Sequence, residues 1–357
     1  MIRRTGVADL PLHGGRAPRW LFQRMVRLAR ALVELMALEF GVEEILRRLA
    51  DPYWFQAFGC VLGFDWHSSG LTTTVCGALK EAVAPFSQEI GFFVCGGKAR
   101  ASRRTPEEIL FWLEKAGLPG PLSHLVDRSR LAAKVDNTAL QDGYQLYHHC
   151  FFFTRSGNWA VIQQGMNEKT AYARRYHWLG ERVKEMTLEP HAAIVAERKE
   201  KEVLNLVAKE SKPVQETLLA LVKEEPERIL AEVKKLVLPA RHHLTEKDLN
   251  PRGFKKVLLK TYTCAPQNFA ALLGVPGLGP KSLRALTLIS ELIYGTSASR
   301  KDPARYTFAH GGKDGHPYPV DRKVYDQSIA YLEELLSKAK IEYSEKMKAF
   351  RRLHQLF

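Results

Sequence analysis

Leu273-Gly274-Val275-Pro276-Gly277-Leu278-Gly279-Pro280-Lys281-Ser282 lies between two stretches of helical periodicity and decides how the second half of the chain is read. Gly277 and Gly279, one residue apart, permit a tight turn and leave its backbone without side-chain cover. Val275 and Leu278 are spaced to tuck beneath that turn, and Pro280 presets the first turn of the next helix. The expected product is a helix start whose N–H groups and positive dipole end face outward, suited to a phosphate.

Working outward, helical periodicity recurs over 194–209, 212–224, 226–237, 253–261, 266–273, 281–294, 322–338 and 341–356. Nothing after about His191 resembles a strand, and the run Arg198-Lys199-Glu200-Lys201-Glu202 reads as a solvated helix face. Upstream the character changes. Residues 16–49 read as one or two amphipathic helices with a break at Gly41, whereas 56–64, 90–95, 144–154 and 159–165 are rich in aromatic and β-branched residues and read as strands. Ser156-Gly157-Asn158 supplies hairpin-turn chemistry between the last two. The fold class expected is α+β. A mixed α/β domain, 1–190, precedes an all-helical domain, 191–357, that carries the hairpin at 266–294.

The formal net charge is +14, which favours a polyanionic partner, because each Lys or Arg that neutralises a phosphate releases a condensed counterion. Cys60, Cys76, Cys95, Cys150 and Cys264 include no CxxC pair, which argues against a zinc ribbon or an iron–sulfur loop and suits reduced thiols in the cytoplasm. The start of the chain has no apolar signal region, and no apolar stretch is long enough for a membrane span.

The quoted decapeptide resembles the helix-hairpin-helix motif, which holds a DNA backbone without reading bases. Together with Val320-Asp321 at the head of a later amphipathic helix, it resembles the DNA glycosylase superfamily typified by endonuclease III. There a Pro-Gly-x-Gly-x-Lys hairpin, matched by Pro276, Gly277, Gly279 and Lys281, is followed by a Val-Asp pair. The resemblance implies a glycosylase with abasic-site lyase activity on damaged or abasic double-stranded DNA. It casts Lys281 as the amine nucleophile and Asp321 as the essential carboxylate, with Val275, Gly277, Gly279, Lys281 and Ser282 on the DNA. Such chemistry needs no cofactor and no metal. A base leaves C1′ through an oxocarbenium-like state that a carboxylate stabilises, and an amine then attacks C1′ and permits β-elimination. Lys281 and Asp321 stand 40 residues apart. The span between them includes residues 295–319, read as an inserted loop that either brings Lys313 and its basic neighbours to DNA or serves as a structural lid.

The first half carries further candidates. Arg174-Arg175-Tyr176-His177-Trp178 combines phosphate-binding charge with stacking surfaces; it reads equally as a helix end that packs its aromatics inward. Asp65 and His67 read as an acid/base pair, a metal site or a capped turn. Lys134 and Asp136 would share one face of a strand, the basis of an alternative in which a Mg²⁺-dependent nuclease site occupies this half. A non-catalytic DNA-binding protein is the third reading. The strings Gly63-Phe64-Asp65-Trp66-His67, Cys95-Gly96-Gly97-Lys98, Gln141-Asp142-Gly143-Tyr144 and Gln163-Gln164-Gly165-Met166, with those at 134–137 and 174–178, resemble the archaeal and bacterial family called domain of unknown function 763. That resemblance spans nearly the whole chain and implies no activity.

Overall fold

The computed structural model describes residues 17–64, 68–118, 120, 122–196, 199–235, 251–304 and 322–354. The chain starts with helices α1 (Arg19–Phe40), α2 (Val42–Ala50), α3 (Pro52–Val61), α4 (Gly70–Val83) and the short α5 (Ser87–Ile90), then enters strand β1 (Phe92–Lys98). Helices α6 (Arg100–Arg103), α7 (Thr105–Lys115) and α8 (His124–Lys134) follow, and α8 runs directly into a π-helix, Val135–Ala139. Next come β2 (Leu140–Gln141), β3 (Gln145–Thr154), β4 (Trp159–Asn167), β5 (Tyr172–Leu179), β6 (Ala193–Val195) and β7 (Leu204–Asn205). The remaining helices are α9 (Lys212–Leu221), α10 (Pro226–Lys235), α11 (Pro251–Cys264), α12 (Phe269–Gly274), α13 (Pro280–Tyr294), α14 (Arg322–Lys338) and α15 (Tyr343–His354).

The central element is an antiparallel five-stranded sheet in the order β1-β3-β4-β5-β6, and it is covered on both faces. Side chains along a strand alternate between faces. Phe151, Phe153, Val161, Tyr176 and Trp178 enter one core, with α7 to α13 over it. Cys150, Phe152, Ala160, Ile162 and Leu179 enter the other, under α1 to α4 together with α14 and α15. Double coverage explains why β3 reads as a continuous apolar run, Cys150 to Phe153, rather than as alternation. The β3–β4 turn falls at Ser156-Gly157-Asn158, where Gly157 takes φ +84°, and α1 ends at Gly41, φ +82°, both as the sequence predicts.

Three expectations are corrected. Residues 56–64 are not a strand. Asp51 Oδ1 accepts from the backbone N–H groups of Tyr53 (2.8 Å) and Trp54 (3.0 Å), and Pro52 sits in the first turn, so cap and proline start a helix in spite of its aromatic content. Every residue of α3 is buried, so it lacks the polar stripe that marks a surface helix. Residues 172–179, where a helix end was one reading, form β5. Residues 194–209 are not a helix either: Ile194 pairs with Tyr176 on the sheet, and Leu204 pairs with Gln141. Pairing with distant strands overrides local helix propensity there. The charge run holds a connection in place, since Glu200 N–H donates to Asp302 Oδ2 (2.6 Å) and Tyr144 Oη donates to Glu200 Oε1 (3.0 Å).

The cores therefore do not divide at residue 190. The last strand of the sheet lies beyond it, and α14–α15 return to pack Tyr331, Leu332, Leu335, Leu336, Ala349 and Leu353 against the N-terminal helices. The coarse class holds: the fold is mixed, helices with an antiparallel sheet. Among the described residues no helix is long and apolar enough to cross a membrane. Cys60, Cys76, Cys95 and Cys150 are buried, Cys264 is exposed, and all five are free thiols.

Candidate functional site

Helices α12 and α13 flank the quoted decapeptide as predicted. Val275 N–H donates to Leu272 O (3.1 Å) and Leu278 N–H to Val275 O (3.1 Å), which closes the turn; Gly277 occupies φ +93°, a conformation only glycine adopts without strain. Val275 and Leu278 are buried with Leu283 and Leu286, so Val275 can present only backbone to a partner. Gly279 starts α13 without a capping side chain, and a Cβ placed there or on Gly274 would meet nothing within 4 Å. The hairpin thus turns an open, uncapped helix start outward. Lys281 is exposed beside it, and Ser282 is half-buried.

The hairpin is anchored to the first half of the chain. Lys134 Nζ, from the last residue of α8, donates to Leu278 O (3.0 Å), and Gln141 Nε2 donates to Pro280 O (2.9 Å) while its Oε1 accepts from Arg284 Nε (2.8 Å). Sequence reading missed the first contact because its partners are 144 residues apart. A cleft of about 1080 Å³ opens between these parts, walled by Gly274, Leu278, Gly279 and Pro280 on one side and by α8, the π-helix and the start of β3 on the other. Arg103, Arg130 and Lys134 line it, against Glu107 and Asp127. Burial pushes the Lys134 ammonium below its ordinary pKa.

A buried polar chain runs from this cleft into the sheet. Ser129 Oγ meets His149 Nε2 (2.8 Å), and His149 Nδ1 meets Gln163 Oε1 (2.8 Å). Gln163 Nε2 donates onward to Asp136 Oδ2 (2.5 Å). Because the glutamine oxygen can only accept, Nδ1 carries the ring hydrogen and Nε2 receives the serine hydroxyl. Burial pulls His149 down to about 4. Its folded value lies below the ordinary 6.5, so the stability it contributes is present above pH 6.5 and lost as pH falls toward 4. We expect a loss of about 3 kcal/mol from this group across that window. Urea midpoints measured from pH 7 to 4 should show it as a slope, reduced in His149→Gln; an equal slope in the variant would refute the assignment.

Several candidates from sequence move or drop out. Asp136 does not share a face with Lys134: it is fully buried in the π-helix, where Oδ2 also accepts from Trp178 Nε1 (2.9 Å) and Oδ1 meets His191 Nε2 (2.5 Å). The carboxylate of the nuclease alternative is thus committed to the interior, and among the described residues no group of three or more metal-ligating side chains is found. Arg174 and Arg175, expected to reach DNA, are fully buried on β5 and point to opposite faces of the sheet. Arg174 forms ion pairs with Asp142 (2.9 Å) and Asp302 (2.7 Å). Burial works against its charge, but Asp142, Tyr176 and Asp302 outweigh that and hold its pKa above the ordinary value. Arg175 donates to Gln56 Oε1 (2.9 Å) and Thr72 Oγ1 (3.2 Å). The two arginines bind the sheet to its covering layers, where no phosphate reaches them. The glycines of Gly96-Gly97-Lys98 also have a structural role: Gly96 N–H donates to Glu108 Oε2 (2.7 Å), and a Cβ on Gly96 would lie 2.2 Å from His149 O. Asp65, His67, Lys313 and Asp321 lie outside the described residues.

Comparison with known proteins finds no match among curated proteins and none among solved structures. Residues 6–320 match the family described as Protein of unknown function (DUF763), and the chain belongs to that family.

Proposed function

We propose that this protein is a DNA repair enzyme that grips duplex DNA through the hairpin at 273–282 and acts as a DNA glycosylase with abasic-site lyase activity. The observation that carries the reading is the open helix start at Gly279, uncapped and flanked by exposed Lys281, on a chain of net charge +14. Uncapped N–H groups at a positive dipole end are an anion site, and a phosphodiester is the anion a strongly basic protein meets with avidity. The cleft beside the hairpin gives a nucleotide drawn out of the duplex somewhere to go, which chemistry at C1′ requires. The sequence resemblance supplies the reaction class and casts Lys281 and Asp321 as amine and carboxylate.

Two measurements test this. Duplex affinity of the full chain should fall steeply with salt, and Lys281→Ala should flatten the log–log slope by about 1. Borohydride reduction in EDTA on a duplex with an abasic site should trap a covalent adduct, because an imine to a lysine needs no metal. Salt-dependent binding without an adduct would leave a non-catalytic DNA-binding protein, and absence of duplex binding would defeat both readings.

A further inference from the structure

Three irregular pieces of backbone line the cleft that holds Lys134. The π-helix starts at the next residue, Val135. Strand β3 changes register between Leu146 and His148, a bulge on the cleft wall. The two are tied together, since Leu146 N–H donates to Asn137 Oδ1 (3.2 Å) from within the π-helix. The third piece is the hairpin, whose Leu278 carbonyl receives the Lys134 ammonium. π-Helical turns and β-bulges each interrupt a regular ladder, and both concentrate where a side chain must be aimed for function. All three meet in one cleft.

We propose that Lys134 is the amine that forms the imine with the C1′ aldehyde of an abasic deoxyribose held in this cleft, and that Lys281 contacts a phosphate instead. The proposal rests on the lyase reading above and reassigns its nucleophile. Lys281 is exposed at the surface of α13 and does not line the cleft. Lys134 is half-buried, and burial favours its neutral form. A neutral amine carries two hydrogens and one lone pair. Giving one hydrogen to Leu278 O fixes the head and leaves the lone pair for an electrophile. The same hydrogen bond ties the reacting nitrogen to the hairpin that would hold the DNA backbone, so grip and chemistry share one rigid unit.

The steps balance. Nζ attacks C1′ of the open-chain aldehyde, and the carbinolamine takes a proton from water and loses its hydroxyl as water to give a protonated imine. The C2′ proton leaves to water in the open cleft, and its electron pair forms the C2′–C3′ double bond as the C3′–O bond breaks. The 3′ phosphate departs with the electrons of that bond. Water then hydrolyses the imine, which returns Lys134 and releases the unsaturated aldehyde.

The experiment is borohydride trapping of the full-length protein on an abasic duplex in EDTA, followed by proteolysis and mass mapping of the adduct. The modified residue is expected to be Lys134. Lys134→Arg keeps a donor for Leu278 O, but a guanidinium does not form the imine. Trapping should fall at least ~10-fold in this variant while duplex affinity stays within ~2-fold of wild type. Mapping on the wild type keeps the test independent of how the variant folds. An adduct on Lys281 or any other lysine, or undiminished trapping by Lys134→Arg, overturns the proposal and leaves the lyase reading intact. Absence of any adduct on bound duplex overturns both.

Discussion

Arg174→Met should cost roughly 3–5 kcal/mol of folding stability, a large share of what a protein of ordinary stability possesses. The guanidinium lies fully buried on β5 and spans two carboxylates: Nη1 reaches Asp142 Oδ2 (2.9 Å) and Asp302 Oδ1 (3.1 Å), and Nη2 reaches Asp302 Oδ2 (2.7 Å). Methionine fills much of the volume but leaves two desolvated carboxylates facing each other. Asp302 also accepts from the backbone N–H groups of Glu200 and Ala304 (2.6 and 2.9 Å), so its displacement would loosen the link between β6 and β7 and the segment after α13. Urea denaturation gives the number. A loss below about 1 kcal/mol would show that the two carboxylates simply take up protons, and the ion-pair account would be abandoned.

Asp136→Ala is expected to cost a comparable amount, about 3–5 kcal/mol, because it strips the acceptor from Trp178 Nε1, Gln163 Nε2 and His191 Nε2 together. Asp136→Asn keeps one oxygen for the indole and the glutamine and should cost about 1–2 kcal/mol. The contrast between alanine and asparagine separates loss of a hydrogen-bond hub from loss of a charge. Equal effects of the two would mean that the negative charge, and not the geometry, matters. The alanine variant should also disturb the cleft, because Gln163 connects Asp136 to His149 and through it to Ser129 on the cleft wall.

Arg174 and Asp136 also show what could be read from sequence and what could not. Gly41, Gly157 and Gly277 act through their own backbone angles, so the helix break, the β3–β4 turn and the α12–α13 turn were legible from adjacent residues. Helices α9, α10, α11, α13, α14 and α15 were legible for a similar reason, since periodicity over ten or more residues is a local signal. Strands β5 and β6 were not. Their identity lies in partners such as Val161 opposite Trp178 and Tyr176 opposite Ile194, and Arg174-Arg175 looks like a surface patch until the sheet gives each arginine its own buried set of acceptors. At the site the hairpin was legible, whereas the cleft was not. Its walls come from α8, β3 and the hairpin, and the hydrogen bond that joins them, Lys134 to Leu278, has no local signature. Double burial of the sheet was visible only as an unbroken apolar run in β3, a pattern that also suits a buried helix segment.

The return of α14 and α15 to the first layer bears on the order of assembly during synthesis. Helices α1 to α3 leave the ribosome well before α14 and α15, which supply part of their cover; Lys338 meets Glu39 (2.9 Å) across a separation of 299 residues. Contacts that span so much sequence form late, and apolar surface that waits for them stays open to other encounters. Met36, Trp54 and Phe58 belong to the core that Tyr331, Leu332 and Leu335 complete. A chain stopped at residue 320, where the family match ends, would carry the hairpin and the sheet but would leave α1 to α3 permanently without the cover of α14 and α15.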